Sequence, residues 1–382
     1  MKHETVTSHA ASTPPAQITL SMSGDREITA IATGEQYQWA HTALTAAGWT
    51  ETKSTVHTRL FADRASAERA VSALVRFARR HRATVAMSSR PFLGDIADTI
   101  AHRLPGPWIP TVEVYSHPVW RGDLVPWVWD SGELAEAVQD GNVPCAATLA
   151  NTATGIELLL IERPGHPSGY VIGAFASDGF TDNHEDPHAP ASIVLPQNPH
   201  QAADAITKHY LPAYHHALHA RRTAVVADAL GRIRDEHTEF QRLNPSSPEH
   251  ERFADVTWYE FLTIVKHAPP LVQHCRGSRL TAQDATTFTR LNAALTTAAE
   301  IADTWNSLLA PGASPAQRAH RADGFPKAKA ARNARIRPVI ETWLAHGDTL
   351  LHHAHTAHDS PAGLASSAVP ALSPATTPQH RR

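Results

Sequence analysis

The sequence predicts an α+β fold: an N-terminal mixed α/β layered half with an antiparallel meander, followed by a C-terminal antiparallel helical bundle. Three observations lead there. From Glu27 to about Thr99, strand-like runs alternate with amphipathic helical stretches, as in layered strand and helix units, and three strand-like runs follow by residue 175. Near residue 199 this gives way to apolar positions three and four residues apart. The helical stretches beyond are long and joined by short links, which favours antiparallel neighbours. The expected divisions are a disordered tail over 1–23, an α/β domain over 24–198, a bundle over 199–358 and a second disordered tail over 359–382. Both tails are rich in Ser, Thr, Ala and Pro and lack periodicity.

The elements follow in order. EITAIAT from Glu27 reads as a strand, and QYQWAHTALTAAGW as a helix with Trp39, Ala43 and Leu44 on one face and Gly48 as its stop. TVHTRLF reads as a strand alternating Val56, Thr58 and Leu60. SAERAVSALVRFARRH predicts a helix burying Ala70, Leu74, Phe77 and Ala78, with its arginines outward. ATVAMSS is a strand and LGDIADTIAHRL a helix. VPCAATL, IELLLIER and GYVIGAFA form the meander, with RPGHPSG supplying turn residues before the last strand. Asn198-Pro199 starts the helical region, since Asn caps and Pro suits the first helical position. Pro212 should break or kink it. Helices are then expected over about 253–268, 281–309 and 326–357, the second opened by a Thr281-x-x-Asp284 capping box and the last bent near Pro338.

Composition narrows the functional classes. The chain has 382 residues and a formal net charge of −3, which favours no particular polyanionic partner. Residues 101–200 hold only Arg103, Arg121 and Arg163 against twelve acidic residues, so a phosphate backbone would be repelled there. The C-terminal half is mildly basic. Two cysteines, Cys145 and Cys275, make no disulfide framework and no zinc site by themselves. With no apolar signal segment and no run long enough to span a bilayer, the sequence-based expectation is a cytoplasmic protein without membrane contact.

Three groups of residues stand out as chemistry. Asp182, His184, Asp186 and His188 crowd carboxylates and imidazoles into one loop. That donor mixture suits manganese, iron or zinc, and His215 or His219, four apart on a helix, could join. The plainer reading is a solvated acidic loop. Trp120, Trp127 and Trp129, interleaved with prolines, could form a stacking platform for a base, sugar or peptide, or simply fill a core. Arg318, Arg321, Lys327, Lys329, Arg332, Arg335 and Arg337 form a basic stretch suited to phosphates or to an acidic protein surface, or else a solvated helix face. Signatures of a serine nucleophile elbow, a phosphate-binding loop or a dinucleotide fold are missing.

YSHPVWRGDLVPWVWDSGEL at 115–134 and ELLLIERPGHPSGYVIGAF at 157–175 resemble proteins of unknown function from high-GC actinobacteria. The resemblance covers about a third of the chain and implies no activity, cofactor or catalytic residue. Such chains resemble accessory gene products of plasmids and integrated elements, which implies a binding or regulatory role. The leading expectation is therefore a non-enzymatic binding protein, without a cofactor, that contacts protein or nucleic acid through 318–337. The alternative is a metal-dependent, hydrolase-like enzyme built on loop 182–188 and a divalent metal.

Overall fold

The computed structural model describes residues 15–358 except 25, 53–54, 142, 178–179, 181–182, 184, 243–247, 277–279 and 310–314. It describes the backbone alone for 248–254, 309, 315–323 and 357–358. The fold is α+β, and its described part divides into two compact units between Tyr214 and His215.

The first unit carries two sheets. The five-stranded sheet has the order β3-β4-β2-β1-β5, from β1 (Gln17–Ser23), β2 (Glu27–Thr33), β3 (Thr50–Glu51), β4 (His57–Leu60) and β5 (Thr84–Pro91). β1 and β2 form an antiparallel hairpin, and β5 returns parallel to β1. Helices α1 (Tyr37–Ala46) and α2 (Arg64–Arg80) pack with it around a core of Ile18, Leu20, Ala30, Leu44, Trp49 and Leu74. α2 buries Ala70, Leu74 and Ala78, and Asp63 caps it by accepting the Ser66 N–H at 2.7 Å.

The second sheet has the order β11-β10-β9-β8-β6, from β6 (Trp108–Val114), β8 (Cys145–Asn151), β9 (Glu157–Glu162), β10 (Tyr170–Phe175) and β11 (Ile193–Leu195). A two-residue strand, β7 (Val128–Trp129), also pairs with β10. β8, β9 and β10 form the expected antiparallel meander. Helices α3 (Leu93–Ala101) and α4 (Glu133–Gln139) cover it; at Gly173 of β10 an added Cβ would lie 2.3 Å from Leu134 of α4. A buried guanidinium ties the sheets together: Arg90 of β5 pairs with Glu162 at 3.1 Å and donates to the carbonyls of Arg163 and His166.

Several expectations need correction. The tail assigned to 1–23 contains β1, a strand with neighbours on both sides, whose Ile18 and Leu20 are fully buried. The alternation of Ile18, Leu20 and Met22 was the available signal. The break between units falls sixteen residues after the predicted 198/199 division, because α5 (Pro199–Ala205) packs on α3 and β11. Pro212 does not break the helix. A π-turn, Ile206–Tyr210, lies just before it, and the Leu211 N–H reaches back to the Ile206 carbonyl. The widened turn accommodates a residue that has no N–H and crowds the preceding turn. In β4 the burial is inverted: His57 is fully buried, while Leu60 is 76% exposed.

The second unit is the bundle of α6 (Leu211–Arg242, from His215 onward), α7 (Pro248–Arg276), α8 (Ala282–Leu309) and α9 (Pro315–His358). Its antiparallel course follows from pairs such as His219 with Ala354 of α9 and Trp305 of α8 with Phe325 of α9. Pro269 and Pro270 sit inside α7, which runs past the predicted end near 268. Burial of Ala268, Leu271, Val272 and Cys275 outweighs the lost backbone bonds. At the α8 start, Thr281 Oγ1 accepts the Asp284 N–H at 3.1 Å and donates to its carboxylate at 2.7 Å. The tail assigned to 359–382, and residues 1–14 of the other, lie outside the described residues. No helix of the described residues is long and apolar enough to cross a membrane.

Candidate metal centre

The densest set of ligand-type side chains lies in the first sheet, where sequence reasoning placed no site. α1 ends in a glycine-dependent stop: the Gly48 N–H bonds Thr45 O and the Trp49 N–H bonds Leu44 O, both at 3.0 Å, with Gly48 at φ +75°. Trp49 then anchors in the core, and the chain enters β3 at once. β3 pairs antiparallel with β4 so that Glu51 lies directly opposite His57. Directly opposite residues share one face of a sheet, which sets the two side chains together. Arg59, two residues along β4, donates to the carbonyls of Ala47 and Gly48 at 2.5 and 3.1 Å and tethers β4 to the end of α1. That tether brings His57 under His41 of α1.

The outcome is a cluster of His41, Glu51 and His57 whose donor atoms all lie within 4.8 Å of one another. The two imidazoles meet edge to face with centroids 4.9 Å apart. Burial is graded: His57 is closed off, His41 half-buried and Glu51 exposed. Both ring nitrogens of His57 are buried without a well-aligned hydrogen bond. Burial lowers the His41 pKa, against the opposing charge of Glu51. Burial and then the His41 ring lower that of His57, against smaller contributions from Glu51 and the Thr55 backbone. Both shifts favour the neutral imidazole, which is the form that ligates metals.

An aromatic wall adjoins the cluster. Tyr37 lies edge-on to His41 at 5.6 Å, to His117 at 6.3 Å and to Trp120 at 5.3 Å. The Gly34 N–H donates to the Ser116 carbonyl at 2.9 Å, which fixes the 3-10 turn Pro118–Leu124 beside α1. His117 Nδ1 accepts the Val119 N–H at 3.2 Å and caps that turn.

The residues predicted from sequence fare differently. Asp182 and His184 lie outside the described residues. Asp186 accepts the Trp129 indole N–H at 2.8 Å and the His188 backbone N–H at 2.9 Å, so it pins its loop to the core. His219 bonds the Ala354 carbonyl and packs against His274 within the bundle, and His215 is exposed. Asp186, His188, His215 and His219 belong to no close ligand group among the described residues. The tryptophans split: Trp129 is fully buried, while Trp120 and Trp127 are 42% and 58% exposed.

The basic stretch splits as well. Arg332 is buried, pairs with Asp255, donates to Asn333 at 2.8 Å and stacks over Trp305 and Trp258 at 4.3 and 5.0 Å. Lys329 pairs with the same carboxylate, and Arg337 lies over Phe240 at 5.6 Å. Lys327 and Arg335 are exposed. Arg318 and Arg321 lie on α9, their side chains outside the described set.

The fold and cluster together define a two-unit α+β protein with a two-histidine, one-carboxylate ligand set. No family model, curated protein or solved structure matches the chain.

Proposed function

We propose that this protein binds a divalent transition-metal ion, zinc being the best fit, through His41, Glu51 and His57, and does so in the cytoplasm. One observation carries the reading: the buried His57, whose ring nitrogens make no well-aligned hydrogen bond, sets a donor atom within 4.8 Å of those of a second imidazole and a carboxylate. Coordination would give the buried His57 ring a stronger partner than the Thr55 backbone supplies. Two imidazoles with one carboxylate match the ligand set of zinc sites that keep an open position.

Partner binding through 318–337 remains the second reading; Lys329, Arg332 and Arg337 are engaged inside the bundle, and Lys327 and Arg335 are the exposed basic residues that would carry it. The first reading keeps the metal alternative but moves it away from loop 182–188.

The test is equilibrium dialysis of the full chain against chelator-buffered zinc, followed by elemental analysis. The 26 histidines make some surface binding inevitable, so the difference between variants is the readout. His57→Ala and His41→Ala should each lose one tight equivalent, whereas His188→Ala should lose none. Wild-type metal content in His57→Ala refutes the proposal.

A further inference from the structure

We infer that the ion held by His41, Glu51 and His57 keeps a position open to an outside ligand, and that this ligand is an anion with a flat aromatic body. The inference rests on the metal reading above. Three donors are one short of the four that zinc takes, and zinc also expands to five. Among the described residues no fourth histidine, cysteine or carboxylate joins the group. The burial gradient places the closed side at His57 and the open side at Glu51, with half-buried His41 between. Solvent, or a ligand replacing it, reaches the ion from the Glu51 side.

The ligand class follows from charge and surroundings. Two neutral imidazoles and one carboxylate leave a divalent ion with net positive charge, so an anionic donor is the matching partner. Tyr37 stands edge-on to His41 and touches Trp120, and Trp120 and Val119 are 42% and 72% exposed. Pro118 and the His117 cap hold this turn in place. A flat ring carried by the donor can pack against Tyr37 and Trp120 while its anionic end meets the ion. Aromatic hydroxamates and carboxylates have both features.

Cobalt(II) substitution separates the two levels of the argument. The full chain is loaded with cobalt, its visible absorption recorded, and benzohydroxamate and acetohydroxamate are titrated in turn. Cobalt remaining after desalting shows that neither ligand strips the ion. Both ligands should change the absorption, benzohydroxamate binding about tenfold more tightly, and Trp120→Ala should erase that preference while retaining cobalt. Absence of a cobalt spectrum that depends on His57 overturns the metal reading itself. A cobalt spectrum that neither ligand alters overturns the open position and leaves the metal reading standing. Equal affinity for both ligands in the wild type overturns the aromatic part of the inference.

Discussion

The two units each gather charged and aromatic side chains into a knot, and the knots differ in whether their ionisable groups pair with one another. In the bundle, Asp255 receives Arg332, Lys329 and Asn333, and the Arg332 guanidinium spends its remaining faces on Asn333 and two indoles, although the Trp258 indole N–H is buried without a well-aligned hydrogen bond. In the first sheet, neither ring nitrogen of the buried His57 makes a well-aligned hydrogen bond; the Thr55 backbone approaches the ring, and His41 and Glu51 stand beside it. Ionic groups that pair with one another specify packing. Two imidazoles beside a carboxylate are, in addition, a donor set for an ion. Density of ionisable residues in the sequence does not tell these cases apart; their pairing in space does.

The strongest way to break the comparison is to open the ion-paired knot. Arg332→Ala leaves Asp255 with less compensation and unpacks Trp305 and Trp258, so it should destabilise the protein by about 3 kcal/mol in chemical denaturation. Arg335→Ala, three residues away and exposed, should stay within about 0.5 kcal/mol. Equal effects would mean that the basic stretch is a uniform surface. A comparable contrast holds in the first unit: Trp129→Ala should cost about 3–5 kcal/mol as a filled core position, far more than the exposed Trp120→Ala.

Next in size is the response to metal. Zinc at a hundredfold excess over its dissociation constant should stabilise the wild type by about 2.7 kcal/mol, read as a rise in Tm. That rise should vanish in His57→Ala and persist in His188→Ala.

The smallest effect is in the pH dependence of the bundle. Burial works against the Asp255 carboxylate, but hydrogen bonds from Lys329 and Asn333 and the charges of Lys329 and Arg332 outweigh it and hold its pKa below the ordinary 3.8. A carboxylate with a depressed folded pKa stabilises fully above its unfolded value and loses that contribution as pH falls through the folded one. The stability difference between wild type and Asp255→Asn should therefore be flat above about pH 5 and shrink below about pH 4. A difference that persists unchanged at pH 2 would contradict the assignment.

The pattern of what the sequence discloses follows the same physics. Long periodic segments such as 282–309 announce their class, because burying a helix face requires apolar residues every three or four positions. The meander announced itself through continuous apolar runs and turn residues. β1 did not, since seven residues behind a Ser- and Pro-rich stretch look like tail until β2 and β5 pair with them. Within the basic stretch, the pairing of Arg332 and Lys329 with Asp255 was not legible, because that carboxylate sits more than seventy residues away in sequence. His41, Glu51 and His57 were the hardest to find. No short motif links them, and they converge only through the Gly48 stop, the opposition of Glu51 to His57 and the Arg59 tether. One clue was present: a histidine in the middle of TVHTRLF, next to residues expected to be buried.

The most direct measurement of the central claim is an anomalous-difference map from crystals of the full chain grown with zinc. The account predicts a peak bounded by His41, Glu51 and His57. Zinc peaks confined to exposed histidines elsewhere, with none at this cluster, would contradict it.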